Sequence, residues 1–171
     1  MRSYQVFAAM SPERALAMMR GLSDKAPAVF RQAVDAAAVA IRARPVYMRR
    51  QPFEKRAEAV RRALSRVVAN PVADELLAVY FLECRRELLI EWLDRVGLAH
   101  EDGTLEEEAP QEPAEAALRD AITAFRAVDD DADRELLLGA FAAQQAVEWP
   151  TLDALLTATD DAAAASDAGA S

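Results

Sequence analysis

The sequence predicts an all-α fold, a single-domain bundle of six or seven helices, on three observations. Alanine supplies 39 of the 171 residues and glycine only 5, and Ala is the least costly residue in a helix whereas Gly serves turns between strands. Apolar residues recur at helical rather than alternating spacing along most of the chain. Most of the eight prolines stand where a helix would begin, where a missing N–H costs nothing and the fixed φ is already helical. One cysteine excludes a disulfide framework, and a hydrophobic content of 53% excludes a wholly disordered chain.

Ser11 and Pro12 open the first predicted helix, which runs to about Leu22 with Leu16, Met19 and Leu22 on one side. Pro27 begins the second, carried by Phe30, Val34, Ala37 and Ile41, and Pro45 stops it. The third runs from Pro52 to about Ala69, with Phe53, Ala57, Val60, Leu64, Val67 and Val68 facing inward. Asn70 and Pro71 then supply an N-cap and a first helical residue for a long fourth helix, about 71–96, which Gly97 terminates. Apolar residues on two sides of it, Phe81, Leu88 and Trp92 against Leu76, Val79 and Ile90, place it at the centre of the bundle. Residues 98–112 read as an acidic loop with a turn at Asp102-Gly103. A fifth helix follows from Pro113 to about Val128, and a sixth reaches about Gln145 after the acidic run Asp129 to Asp133, whose carboxylates suit a helix N-terminus. Trp149-Pro150 introduces a short last helix ending near Thr157. One all-helical domain over 1–157 is therefore expected, with 158–171 a mobile, acidic and Ala-rich tail.

The opening MRSYQVFAAM is too short and too mixed for a secretory signal, so a cytoplasmic location is expected. No run of about 18 apolar residues is free of charge, so no membrane span is expected. Cys84, among Phe81, Leu82, Leu88 and Leu89, reads as a small core residue.

Reactive constellations are scarce. His100 is the only histidine, with Gly97 where an ExxH motif would need its carboxylate, so zinc and di-iron patterns fail. Asp129, Asp131 and Asp133 mimic the first three ligands of a calcium loop, but Arg134 stands where its glycine belongs and Ala140 where its last glutamate belongs. Glu83, Glu87 and Glu91 fall at four-residue spacing on the predicted fourth helix, either as a solvated ridge relieved by arginines or, with His100, as the makings of a hydrolase or metal enzyme. Arg85 falls inside that helix's apolar arc, which predicts a partly buried arginine paired with a carboxylate of another helix. No cofactor and no metal are expected.

Charge segregation is the most informative feature. The formal net charge is −9, yet residues 1–100 carry net +6 and residues 101–171 net −15. Positive charge peaks between Arg42 and Arg66, with nine basic residues against Glu54 and Glu58. Arg49, Arg50, Lys55, Arg62 and Arg66 form a basic stripe, the expected partner-binding residues. The preferred reading is a non-enzymatic interaction protein, an adaptor or small regulatory subunit, that meets a protein partner or a second copy through segregated basic and acidic surfaces. A nucleic-acid-associated protein using the same stripe on phosphates is the alternative.

Overall fold

The computed structural model describes residues 1–107, 109–129, 131–144 and 147–158. The tail expected from residue 158 onward lies outside the described residues beyond Ala158. In order the elements are α1 (Ser3–Ala9), α2 (Pro12–Lys25), α3 (Pro27–Ala40), α4 (Pro45–Arg49), α5 (Phe53–Leu64), α6 (Asn70–Cys84), α7 (Arg86–Val96), β1 (His100–Glu101), β2 (Thr104–Leu105), α8 (Glu115–Arg126) and α9 (Ala132–Ala143), followed by a last helical stretch over 150–158, α10. Among the described residues no helix is long and apolar enough to cross a membrane.

Local chemistry explains most of these limits. The Ser11 hydroxyl accepts the Arg14 N–H at 3.1 Å, capping α2, and Pro12 and Pro27 stand at the first helical position of α2 and α3. Gly97 at φ 71° ends α7 in the left-handed conformation that glycine adopts without strain.

Four expectations are corrected. The long fourth helix does not exist, because the backbone leaves helical geometry at Arg85 (φ −136°, ψ 35°) and α6 and α7 are separate. No Pro or Gly causes this break. Arg85 instead reaches Asp131 and Asp133 at the start of α9, and these ion pairs accompany the bend. The third predicted helix ends at Leu64 rather than Ala69. There the Ser65 hydroxyl donates back to the Arg61 carbonyl at 2.7 Å, Arg66 is extended, and a 3-10 turn over Val67–Ala69 follows, so Val67 and Val68 face solvent rather than the core. Six or seven helices undercounts the chain, because α1 forms and Pro45 starts α4 as well as following α3. Finally, Asn70 is the first residue of α6 rather than its cap, and its side-chain oxygen accepts the Tyr4 N–H at 3.1 Å. Within the acidic loop, β1 and β2 pair as a small antiparallel hairpin, His100 opposite Leu105.

Packing sets out the surfaces. The Phe30 and Phe53 rings, near the N-terminal ends of α3 and α5, lie 5.5 Å apart, within the packing of α3 on α5. The connection through α4 returns along α3 with Met48 buried. α6 packs on α1, α2 and α9 as well as on α7, while α8 packs on α7 and α9. The C-terminal core is a chain of aromatic contacts, with Trp92 5.3 Å from Phe125 and 5.9 Å from Phe141, and Phe141 5.4 Å from Trp149. Segment 109–112 straps α10 to it. The Trp149 indole N–H donates to the Pro110 carbonyl at 2.8 Å, and Glu112 accepts the Thr151 and Leu152 N–H groups at 2.7 and 3.1 Å.

Candidate functional site

The basic segment is also the apolar one. Eight large hydrophobic residues are exposed among the described residues, and seven of them, Val39, Ile41, Val46, Tyr47, Val67, Val68 and Val72, lie between residues 39 and 72. Val68 is 87% and Tyr47 61% exposed. Each group has a local cause. Met48 anchors α4, so its neighbours Val46 and Tyr47 turn outward, and the turn after Ser65 carries Val67 and Val68 off the face that Leu64 buries. Scattered single hydrophobics on a surface mean little, but these are concentrated in the segment that also carries most of the uncompensated positive charge.

The stripe's charges are only partly compensated, and from nearby. Arg49 forks onto Asp35 of α3 through Nε at 2.7 Å and Nη2 at 2.5 Å, which holds the Asp35 carboxyl below its ordinary value. Arg62 donates to Glu58 at 2.6 Å. The Glu58 carboxyl is pulled to about 2, chiefly by its hydrogen bonds with Arg61, which together with Arg62 outweigh the opposing effect of burial. Arg50, Lys55 and Arg66 are exposed and make no ion pair among the described residues. Of the five stripe residues, none pairs with a described carboxylate beyond residue 100. The elements packed on α5 are mainly α1, α2, α3 and α6, whereas α8 and α9 of the C-terminal half pack on α7, α1 and α6.

The two halves do meet elsewhere, at the start of α9. Asp133, its side chain 6% exposed, pairs with Arg14 of α2 and with Arg85 at 2.9 Å, and accepts the Tyr80 hydroxyl at 3.0 Å. Arg85 also pairs with Asp131. Beside them the buried Arg134 donates to Glu91 at 3.0 and 3.1 Å and to Asp129 at 2.8 Å, and lies 4.6 Å over the Phe125 ring. These bonds raise the Arg134 pKa further against the effect of burial, the Asp129 bond foremost. Burial alone would raise the Glu91 carboxyl, but the hydrogen bonds from Arg134 and Arg95 outweigh it and hold it below its ordinary value. These contacts link α2, α6, α7 and α9, and Arg14 Nε is buried there without a hydrogen-bond partner among the described residues. The carboxylates of Asp129, Asp131, Asp133 and Glu91 are each paired with an arginine.

The remaining candidates do not assemble. Glu83 lies on α6 and Glu87 on α7, on either side of the break, so the expected column of Glu83, Glu87 and Glu91 is not formed. Glu91 is committed to Arg95 and Arg134. His100 pins the hairpin, with Nδ1 accepting the Gly103 N–H at 3.3 Å, which leaves Nε2 to donate to Asp94 at 3.2 Å. Asp131 caps α9, its side chain accepting the Asp133 N–H at 2.9 Å. Cys84 is half-buried, and burial pushes its thiol up, as the nearby Glu83 does, the opposite of what a nucleophile needs. Among the described residues no three His, Cys, Asp or Glu side chains come together to hold a metal ion.

Sequence reasoning missed Val39, Ile41, Val46, Tyr47, Val67 and Val68 as surface residues, and Arg14 and Tyr80 as partners of Asp133. Helical periodicity assigned Ile41, Val67 and Val68 inward, and only the ends of α3 and α5, set by tertiary packing, turn them out. No protein-family model, no curated protein and no solved structure matches this chain.

Proposed function

We propose that the protein is a non-enzymatic helical interaction protein, an adaptor or small regulatory subunit, whose working surface is the basic and apolar face between residues 39 and 72. The single observation that carries this reading is the coincidence, in one segment, of seven of the eight exposed large hydrophobics with the concentration of positive charge. Charge complementarity specifies the partner as a protein segment that is acidic and apolar. Arg50, Lys55, Arg62 and Arg66 meet its carboxylates, while Tyr47, Val67 and Val68 bury aliphatic or aromatic side chains, and burial supplies affinity where exposed ion pairs supply steering and register. A nucleic acid would use the arginines but leave the valines without a counterpart, which favours protein over phosphate backbone.

The test compares the native chain with a variant carrying Arg62→Glu, Arg66→Glu and Val68→Ser as immobilised baits, in nuclease-treated extract of the native host at about 50 mM salt. A defined acidic protein retained by the native chain and lost from the variant is the expected result. Equal retention by both, or retention of nucleic acid in place of protein when nuclease is omitted, overturns the reading.

A further inference from the structure

Beside the N-terminal end of α3, between α3, α4 and α5, lies a cavity of about 250 Å³ whose wall includes Arg31, Arg49 and Arg56 together with Ser23, Pro27 and Phe30. Three guanidinium groups border it and no carboxylate lines it. Asp35, just outside, occupies Nε and Nη2 of Arg49, which leaves that residue's Nη1 uncommitted. Arg31 is exposed and has no hydrogen bond or ion pair among the described residues. Arg56 lies 5.6 Å from the Phe30 ring centre and 5.5 Å from that of Phe53, and its Nε is buried with no hydrogen-bond partner. One carboxylate against three cations leaves two positive charges uncompensated.

The backbone adds to this field. Ala26 precedes α3 and provides no side-chain cap, so the positive end of this 14-residue helix lies close by, while the cavity wall itself is the side of α3 carrying Pro27, Phe30, Arg31 and Val34.

We propose that this cavity is a binding site for a phosphoryl dianion, held by Arg31, Arg49 and Arg56. A phosphoryl group brings about 1.5 to 2 negative charges and three acceptor oxygens, matching the two uncompensated charges; a single carboxylate would neutralise one. Arginine forks fit phosphate oxygens better than any other side chain does. The phosphoryl group arrives either on a small molecule or on a phosphorylated side chain, and the chemistry of capture is the same. This site goes beyond the partner reading above and does not depend on it.

The experiment is a nuclear magnetic resonance titration of the full chain, following backbone amides and arginine Nε–H signals. The probes are inorganic phosphate, a short phosphoserine peptide and the same peptide unphosphorylated, in about 0.15 M chloride. Saturable shifts of the Arg56 Nε–H and of the Ala28 and Val29 amides are expected with the two phosphoryl probes and not with the unmodified peptide. Arg31→Gln, at an exposed position that does not endanger folding, weakens binding about tenfold, and Arg49→Gln does likewise. Tighter binding of the phosphopeptide identifies a phosphorylated side chain as the source, and equal or tighter binding of phosphate identifies a small molecule. Shifts that never saturate, that appear equally at Arg62 and Arg66, or that are unchanged in both variants overturn the proposal.

Discussion

Replacing Asp133 by alanine tests the ionic junction that ties the two halves together. The carboxylate is 6% exposed and faces Arg14, 25% exposed, and Arg85, 34% exposed, with the Tyr80 hydroxyl donating to it at 3.0 Å. Its removal deletes a charge-assisted hydrogen bond and leaves two arginines close together, of which Arg85 keeps Asp131 while Arg14 keeps no described carboxylate. Breaking a fully buried pair costs about 3–5 kcal/mol, and water reaching the half-open arginines puts this case at the lower end, about 3 kcal/mol. For a chain of this size that lowers the melting temperature by about 6–12 °C. Asp133→Asn retains an acceptor for Tyr80 but not the charge, and loses about 2 kcal/mol. The assay is urea unfolding followed by circular dichroism, extended to a double-mutant cycle with Arg14→Met, where a coupling of at least about 1 kcal/mol is expected. Asp133→Ala within about 0.5 kcal/mol of the native chain would refute the reasoning, since surface substitutions behave that way.

Three further outcomes follow from the same geometry. Because the folded-state Glu58 carboxyl stands at about 2 against an ordinary 4.5, its contribution to stability is complete above the ordinary value and is lost as pH falls through 4.5 toward 2; Glu58→Gln is expected to flatten the urea midpoint over that window. Glu112→Gln removes the carboxylate that accepts the Thr151 and Leu152 N–H groups, which costs about 1–2 kcal/mol locally, so hydrogen exchange quickens across 150–158 while amides around Trp92 keep their protection. Val68→Ser changes stability by less than about 0.5 kcal/mol, whereas Leu64→Ala, four residues earlier and 3% exposed, costs about 2–5 kcal/mol; equal effects would put Val68 back in the core.

Local signals were sufficient wherever a helix limit is decided locally. Ser11 with Pro12, Pro27, and Gly97 mark helix limits through a cap, a fixed φ and a left-handed residue, and all three are written in the neighbouring residues. The break at Arg85 is different. Nothing between Cys84 and Arg86 opposes a helix, and Arg85's partner Asp131 lies 46 residues further on, so periodicity alone runs α6 and α7 together. Likewise the pattern through Val67 and Val68 continues a helical face that the chain abandons at Ser65, whose hydroxyl bonds backward. On the candidate surface, the arginines could be read directly as charge, but the apolar half of the face could not, because exposure of Val39, Val46 and Tyr47 depends on how α4 folds back along α3. The cavity lined by arginines was hidden for the same reason, since Arg31 and Arg56 come from different helices brought together by the Phe30–Phe53 contact.

Photo-crosslinking in the native host is the most direct measurement of the proposed interaction surface. A photoreactive residue replaces Val68 in one version of the full chain and Val128 in another, the latter being an exposed large hydrophobic outside the basic segment. An adduct with an acidic protein segment from position 68, none from position 128, and loss of that adduct on Arg62→Glu with Arg66→Glu is the predicted result. An adduct of equal yield from both positions, a nucleic-acid adduct at position 68, or an adduct indifferent to the charge reversal would contradict the assignment of this face.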